Sequence, residues 1–217
     1  MGCVTTEKVT NDQIPFLIET IKNTASLIEK EEKPIIFKGS KKYSKKNVYN
    51  KELSLIPVEK KLSVLHDIEN LAYAYDKRIG DVQVSYEEED NENLLQNSYG
   101  LKLKSKTNYY YYYLEVVAKE GDEVKTEGNI FLESDFSKFN KEEFVKKICD
   151  KALSKFHGTP IKNKAYKAVL NQETVGQLVS ILVNQSCNAK SVQKHSSLLE
   201  GKLNTEVLSK KITIEEK

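Results

Sequence analysis

Five consecutive tyrosines, Tyr109 to Tyr113, restrict the fold more than any other feature of this chain. Tyr favours extended backbone, where alternation sends Tyr109, Tyr111 and Tyr113 to one face and Tyr110 and Tyr112 to the other. A phenol hydroxyl tolerates a wet boundary, so both faces can carry rings without a buried, unpaired donor. The run predicts a central strand, covered by helices on one face and by a partner or second domain on the other. A sharper reading makes it a stacking platform for bases, supplied with cations by Lys102, Lys104 and Lys106. It lacks the glycine–aromatic pattern of an RNA-recognition strand, which favours the structural reading.

The flanking pattern agrees. Segments 82–86, 94–97, 100–106, 109–119 and 124–133 read as successive strands, with turn formers at 97–98, 107–108 and 120–122. Strands joined by such short turns make an antiparallel meander. The acidic run 87–92 holds five acids and no base, fits no calcium-loop spacing, and is expected as a solvated strand end. Helical periodicity covers 12–32, with Asp12 as N-cap, and 57–78, with Leu62, Leu65, Ile68, Leu71, Ala72 and Tyr75 inward. A third helix, 141–156, places Cys149 in its apolar stripe, and a fourth, 173–185, is unusually apolar. Further strands are expected at 166–170 and 212–214. Residues 33–61, with nine Lys and two Glu, read as a long solvated connection, or alternatively as a phosphate-binding arm. The fold class is therefore α+β: an antiparallel meander flanked by helices, followed by the start of a second, β-rich domain. The boundary falls at Gly158-Thr159-Pro160, giving domains 1–160 and 161–217.

Composition narrows the chemistry. With 217 residues, 30% of them charged, and a net charge of +2, a global electrostatic case for nucleic acid is weak. No apolar stretch approaches the roughly 20 residues of a membrane span, so a cytoplasmic protein without membrane contact is expected. Cys3, Cys149 and Cys187 are odd in number and widely spaced, which rules out a disulfide framework. His66, His157 and His195 are equally scattered, and no local zinc motif occurs. The opening Met1-Gly2-Cys3-Val4-Thr5-Thr6 matches a loose acylation pattern that matters only in a cell with the transferase.

Longer stretches carry a resemblance. Val82-Gln83-Val84-Ser85-Tyr86 through Asn97-Ser98-Tyr99-Gly100-Leu101, followed by the tyrosine strand, resembles the N-terminal domain of the TldD/PmbA family of metallopeptidases, also known as modulators of DNA gyrase. Ala168-Val169-Leu170-Asn171-Gln172, the apolar helix, Lys194 to Leu203 and Ile212-Thr213-Ile214 are similar to the opening of its C-terminal domain. The resemblance implies a chain truncated at both ends, as a split or degenerate gene would give. It also implies a zinc signature, H-E-x-x-x-H, described as two imidazoles one turn apart. Here the matching positions read Gln172, Glu173 and Gln177, and neutral amides are poor zinc ligands.

The resemblance thus implies a PmbA-like (TldE-like), non-catalytic subunit of a cytoplasmic metallopeptidase complex that acts on unfolded peptides. No catalytic residue and no metal ligand is expected in this chain, and zinc belongs to a TldD-like partner. The partners would be that subunit or a second copy, and unfolded peptide. Asn97, Ser98, Tyr99, Gly100, Tyr110 and Tyr112 are the expected interface or substrate-facing residues. The alternative is a nucleic-acid-binding module using the Lys-rich segment and the tyrosine strand.

Overall fold

The structure, a computed structural model, describes residues 2–28, 35–43 and 48–215. The expected end of the first helix and parts of the Lys-rich segment and of both termini lie outside the described residues. The chain divides into two compact units, Met1–Gly158 and Thr159–Lys217.

The first unit is built on three antiparallel strands in the order β1-β2-β3: β1 Ile79–Gln96, β2 Lys102–Glu120 and β3 Glu123–Glu133. Two expected breaks are absent. The acidic run lies inside β1, with Glu87 to Glu92 paired against Tyr111 to Lys106. Alternation lets it stay extended, because neighbouring carboxylates point to opposite faces. The turn expected at Thr107-Asn108 is also continuous strand. Asn108 is buried there and spends its amide on another segment: Nδ2 donates to the Asn50 carbonyl at 2.7 Å and Oδ1 accepts from Asn50 N at 2.8 Å. Its turn-forming capacity is the same ability to bond a backbone, used here across the fold.

The two true turns follow the expected chemistry. At 97–101, Asn97 Oδ1 accepts from Tyr99 N and Leu101 N, and Gly100 takes a positive φ of 84°. Between β2 and β3, Gly121 at φ 59° supplies the left-handed residue a two-residue hairpin needs.

Helices α2 (Val58–Tyr75) and α3 (Lys141–Leu153) cover one face of the sheet. Pro57 stands at the N-cap of α2, and Asn140 caps α3 by accepting from Glu143 N at 3.0 Å. The core joins Tyr110, Tyr112, Leu114, Val116 and Ala118 of β2 to Ile68 and Ala72 of α2 and to Val145, Ile148, Cys149 and Ala152 of α3. Each large apolar side chain so buried contributes about 1.5–3 kcal/mol. An aromatic cluster closes one end, with Tyr112 stacked on Phe139 at 4.7 Å and Phe139 tilted against Phe131 at 4.8 Å.

By contrast, α1 (Ile14–Ser26) follows a short 3-10 turn containing Asp12 and buries none of its residues. Its expected apolar stripe is present in sequence, yet Ile14, Ile18 and Ile21 remain exposed.

The second unit contains α4 (Gln172–Ser186) and α5 (Ala189–Gln193) and, among the described residues, no strand. The strands expected at 166–170 and 212–214 have no ladder partner there, and an isolated extended segment has nothing to satisfy its backbone. Ile212 and Ile214 instead line a cleft of about 450 Å³ together with Leu182, Leu199 and Val207.

Candidate functional site

The positions matched to the zinc signature sit at the start of α4. Asn171 caps the helix, its Oδ1 accepting from Thr174 N at 2.8 Å. Gln172 and Glu173 therefore occupy the first turn, and Gln177 lies five residues past Gln172. That spacing is the one between the two histidines of the H-E-x-x-x-H pattern, so the residue types and not the spacing decide whether zinc fits. Both glutamines are exposed, and two amides with one carboxylate make a donor set unlike the imidazole-rich sets that hold zinc. A catalytic zinc does not fit these residues. Among the described residues, no three His, Cys, Asp or Glu side chains come together as a metal-binding group.

The chemistry concentrates instead on the sheet. Tyr110 and Tyr112, expected to face an interface or substrate, point inward and are fully buried. Their hydroxyls donate to main-chain carbonyls, Tyr112 to Lys61 at 3.1 Å and Tyr110 to Asp135 at 3.4 Å. Burial raises both phenol pKa values, so they stay neutral donors.

Beside them lies a polar network that periodicity alone did not reveal. Lys61, on the inward side of α2, is buried and donates to Glu88 at 2.5 Å, and Tyr86 donates to the same carboxylate oxygen at 2.5 Å. The signal was available in principle: a lysine at an inward helical position predicts a matching acid on the facing strand. Elsewhere, burial raises the Glu127 pKa, but Lys155 and Lys151 beside it outweigh that and hold the carboxyl below its ordinary range.

The outward residues of β2 are Tyr109, Tyr111 and Tyr113, each half-buried in a row of carboxylates. Tyr109 bonds to Glu89, Tyr111 to Glu87, and Tyr113 donates to Glu115 Oε2 at 2.8 Å. The Glu87 carboxylate at its hydroxyl pushes the Tyr111 phenol up to about 12. Tyr113 also lies over Gly128 of β3: a Cβ there would stand 2.9 Å from the tyrosine hydroxyl, so a side chain at this position would push the ring aside. At the hairpin tip Tyr99 is exposed, with the Lys38 ammonium 5.3 Å from its ring centroid. Asn97 is committed structurally, its Nδ2 donating to the Phe37 carbonyl at 2.6 Å. Ser98 and Gly100 complete the turn, both exposed.

Comparison with known proteins places this architecture. The PmbA/TldA metallopeptidase central domain matches residues 51–156, and the PmbA/TldA metallopeptidase C-terminal domain matches residues 163–217. Among solved structures, a candidate modulator of DNA gyrase from Bacteroides thetaiotaomicron superposes with a TM-score of 0.84 at 18% identity, covering 95% of this chain and 48% of that one. A candidate modulator of a DNA gyrase from Thermotoga maritima gives a TM-score of 0.69 at 20% identity, covering 94% and 46%. TldE from Thermococcus kodakarensis gives 0.61 at 22% identity, covering 91% and 45%. This chain thus spans about half the length of each of these structures. No curated protein matches the chain significantly in sequence. With the two domain matches running in order along most of its length, the chain belongs to the PmbA/TldD metallopeptidase family.

Proposed function

We propose that this chain acts as a non-catalytic, TldE-like subunit of a cytoplasmic metallopeptidase complex, where it supplies wall and pairing surface for the handling of unfolded peptides. The observation that carries this reading is the pair of exposed amides, Gln172 and Gln177, at the positions matched to zinc-binding imidazoles. On this reading zinc belongs to a TldD-like partner. Two further features support it. Among the described residues β1 pairs only with β2, so its outer edge offers unpaired backbone groups along 18 residues, as capture of an extended peptide requires. The exposed apolar residues of α1 and α4 suit burial against another subunit.

The nucleic-acid alternative finds less support. Lys104 is paired with Glu92 at 2.7 Å, and Lys106 lies 4.0 Å from the Tyr49 ring centroid and 3.6 Å from Asp90. The outward tyrosines sit among glutamates, which repel phosphate. Should the gyrase-modulator name of two structural neighbours extend to this chain, that acidic face favours a protein contact over a DNA contact.

The test is to purify the chain alone and with a TldD-like subunit, then to measure bound zinc and cleavage of unfolded peptide. The chain alone should hold no zinc and cleave nothing, and it should co-purify with the partner's zinc-dependent activity. Zinc stoichiometric with this chain alone, together with cleavage, would overturn the assignment.

A further inference from the structure

The two faces of the sheet treat the acidic run differently. On the face of Tyr110 and Tyr112, each acid meets a lysine: Glu88 with Lys61 at 2.5 Å, Asp90 with Lys106 at 3.6 Å, and Glu92 with Lys104 at 2.7 Å. On the opposite face, Glu87, Glu89 and Glu115 meet tyrosine hydroxyls, and among the described residues no lysine or arginine pairs with them. A phenol can donate a hydrogen bond to a carboxylate but does not cancel its charge. That face therefore keeps an uncompensated negative row.

Across the tyrosines lies a second row of different chemistry. Ile130 and Leu132 of β3 stand opposite Tyr113 and Tyr111 in register and are 52% and 59% exposed. No described element of the first unit covers them. The acidic row on β1 and the aliphatic row on β3 are two strand spacings apart, about 10 Å.

We propose that this open face docks a cationic amphipathic helix of a partner protein, lying along Tyr109, Tyr111 and Tyr113. Its lysines or arginines would rest over Glu87 and Glu89, and its aliphatic flank over Ile130 and Leu132. The dimensions select a helix. A helix is about 10–12 Å across and presents an apolar stripe beside a charged one, so it reaches both rows at once. A strand laid on the face directs only alternate side chains downward, in a single row. The intervening rings suit either flank, since tyrosine offers aliphatic contact and a cation–π face. This chain's own exposed apolar helices do not supply the occupant: α1 carries one lysine and one glutamate, and α4 carries no lysine or arginine, so neither has a basic flank. The contact is separate from capture of peptide at the outer edge of β1, which uses backbone groups rather than this face.

The experiment titrates the full chain with a synthetic Lys/Leu amphipathic helix of about five turns, and with a Glu/Leu helix of the same pattern. Binding is followed by calorimetry at low and high salt, and nitration of tyrosines by tetranitromethane is mapped by mass spectrometry. The Lys/Leu helix should bind with a salt-sensitive affinity and shield Tyr109, Tyr111 and Tyr113 from nitration. Replacing the acids together (Glu87→Gln, Glu89→Gln, Glu115→Gln) should weaken binding about tenfold, on the order expected for three partly exposed charge contacts. Glu89→Gln alone should weaken it about twofold, which preserves the test if the triple variant folds poorly. The proposal is overturned by no binding of the Lys/Leu helix, by equal binding of the Glu/Leu helix, by unchanged affinity of the variants, or by protection confined to other tyrosines. Shielding of the same three tyrosines by self-association, before any peptide is added, would give the face to a second copy and equally overturn it.

Discussion

Helices α3 and α4 are written in nearly the same local code and meet opposite fates. Each begins with an asparagine whose side chain accepts a backbone N–H, from Glu143 in one and Thr174 in the other. Each has an acid in its first turn and an apolar stripe at helical spacing. Yet α3 buries Phe144, Val145, Ile148, Cys149 and Ala152, whereas Val175, Leu178 and Ile181 of α4 stay exposed. Capping and periodicity specify that a helix forms and which side is apolar, while burial requires a surface elsewhere in the chain or in a partner. For α3 that surface is α2, β2 and β3; for α4 this chain supplies α5 and the turns around it.

The cysteines expose the contrast most sharply, because one lies in α3 and another at the end of α4. Cys149 is fully buried, and burial pushes its thiol up to about 11, which withholds the reactive thiolate. Cys187 and Cys3 are exposed. With a thiol reagent in excess, two cysteines should react quickly. The third should react at least about a thousandfold more slowly, limited by opening of the core. Three equal rates would mean that α3 is no better packed than α4.

Truncation should give the next largest effect. Ile148 is almost completely buried, so Ile148→Ala should cost about 2–5 kcal/mol in a denaturant titration, as cavity-forming substitutions do. Ile181 is 53% exposed, and Ile181→Ala should stay within about 0.5 kcal/mol. If Ile181→Ala proved as costly as Ile148→Ala, α4 would be buried in solution against a second chain.

These contrasts also mark what the sequence made legible. The helices, the antiparallel meander between the second and the third, the parity of the tyrosine run and the burial of Cys149 could all be read, since each depends on periods of 2 or 3.6 residues along one segment, whereas the strands expected at 166–170 and 212–214 are not strands. Turn chemistry was less reliable. Asn97 and Gly121 do make turns, whereas Asn108 looks the same in sequence and serves as a buried bridge to Asn50, 58 residues away along the chain. The acidic run failed as a strand end for a similar reason: the bases that compensate Glu88, Asp90 and Glu92, namely Lys61, Lys106 and Lys104, come from other elements. Tyr110 and Tyr112, expected to face an interface or substrate, are instead the buried pair. Local alternation gives two faces without saying which one the helices will cover. The positions at the start of α4 came from the family resemblance, which no period along the chain supplies, and the structure adds that Gln172 and Gln177 are exposed on a capped helix.

The smallest effect isolates the caps themselves. Asn140→Ala removes the acceptor for Glu143 N and should cost about 1 kcal/mol. Because α3 is part of the packed core, that loss should appear in the cooperative melt as a fall in Tm of about 2–4 °C, and Asn140→Asp should restore it. Asn171→Ala removes an equivalent bond to Thr174 N. Since α4 buries so little, its cap energy should be spent locally, lowering the helical circular-dichroism signal before the transition while the main Tm stays in place. Equal shifts in Tm from both substitutions would couple α4 to the core and erase the distinction between the two helices. A loss of signal confined to Asn171→Ala would show that identical caps stabilise a helix alike, and that tertiary burial alone decides whether the fold registers it.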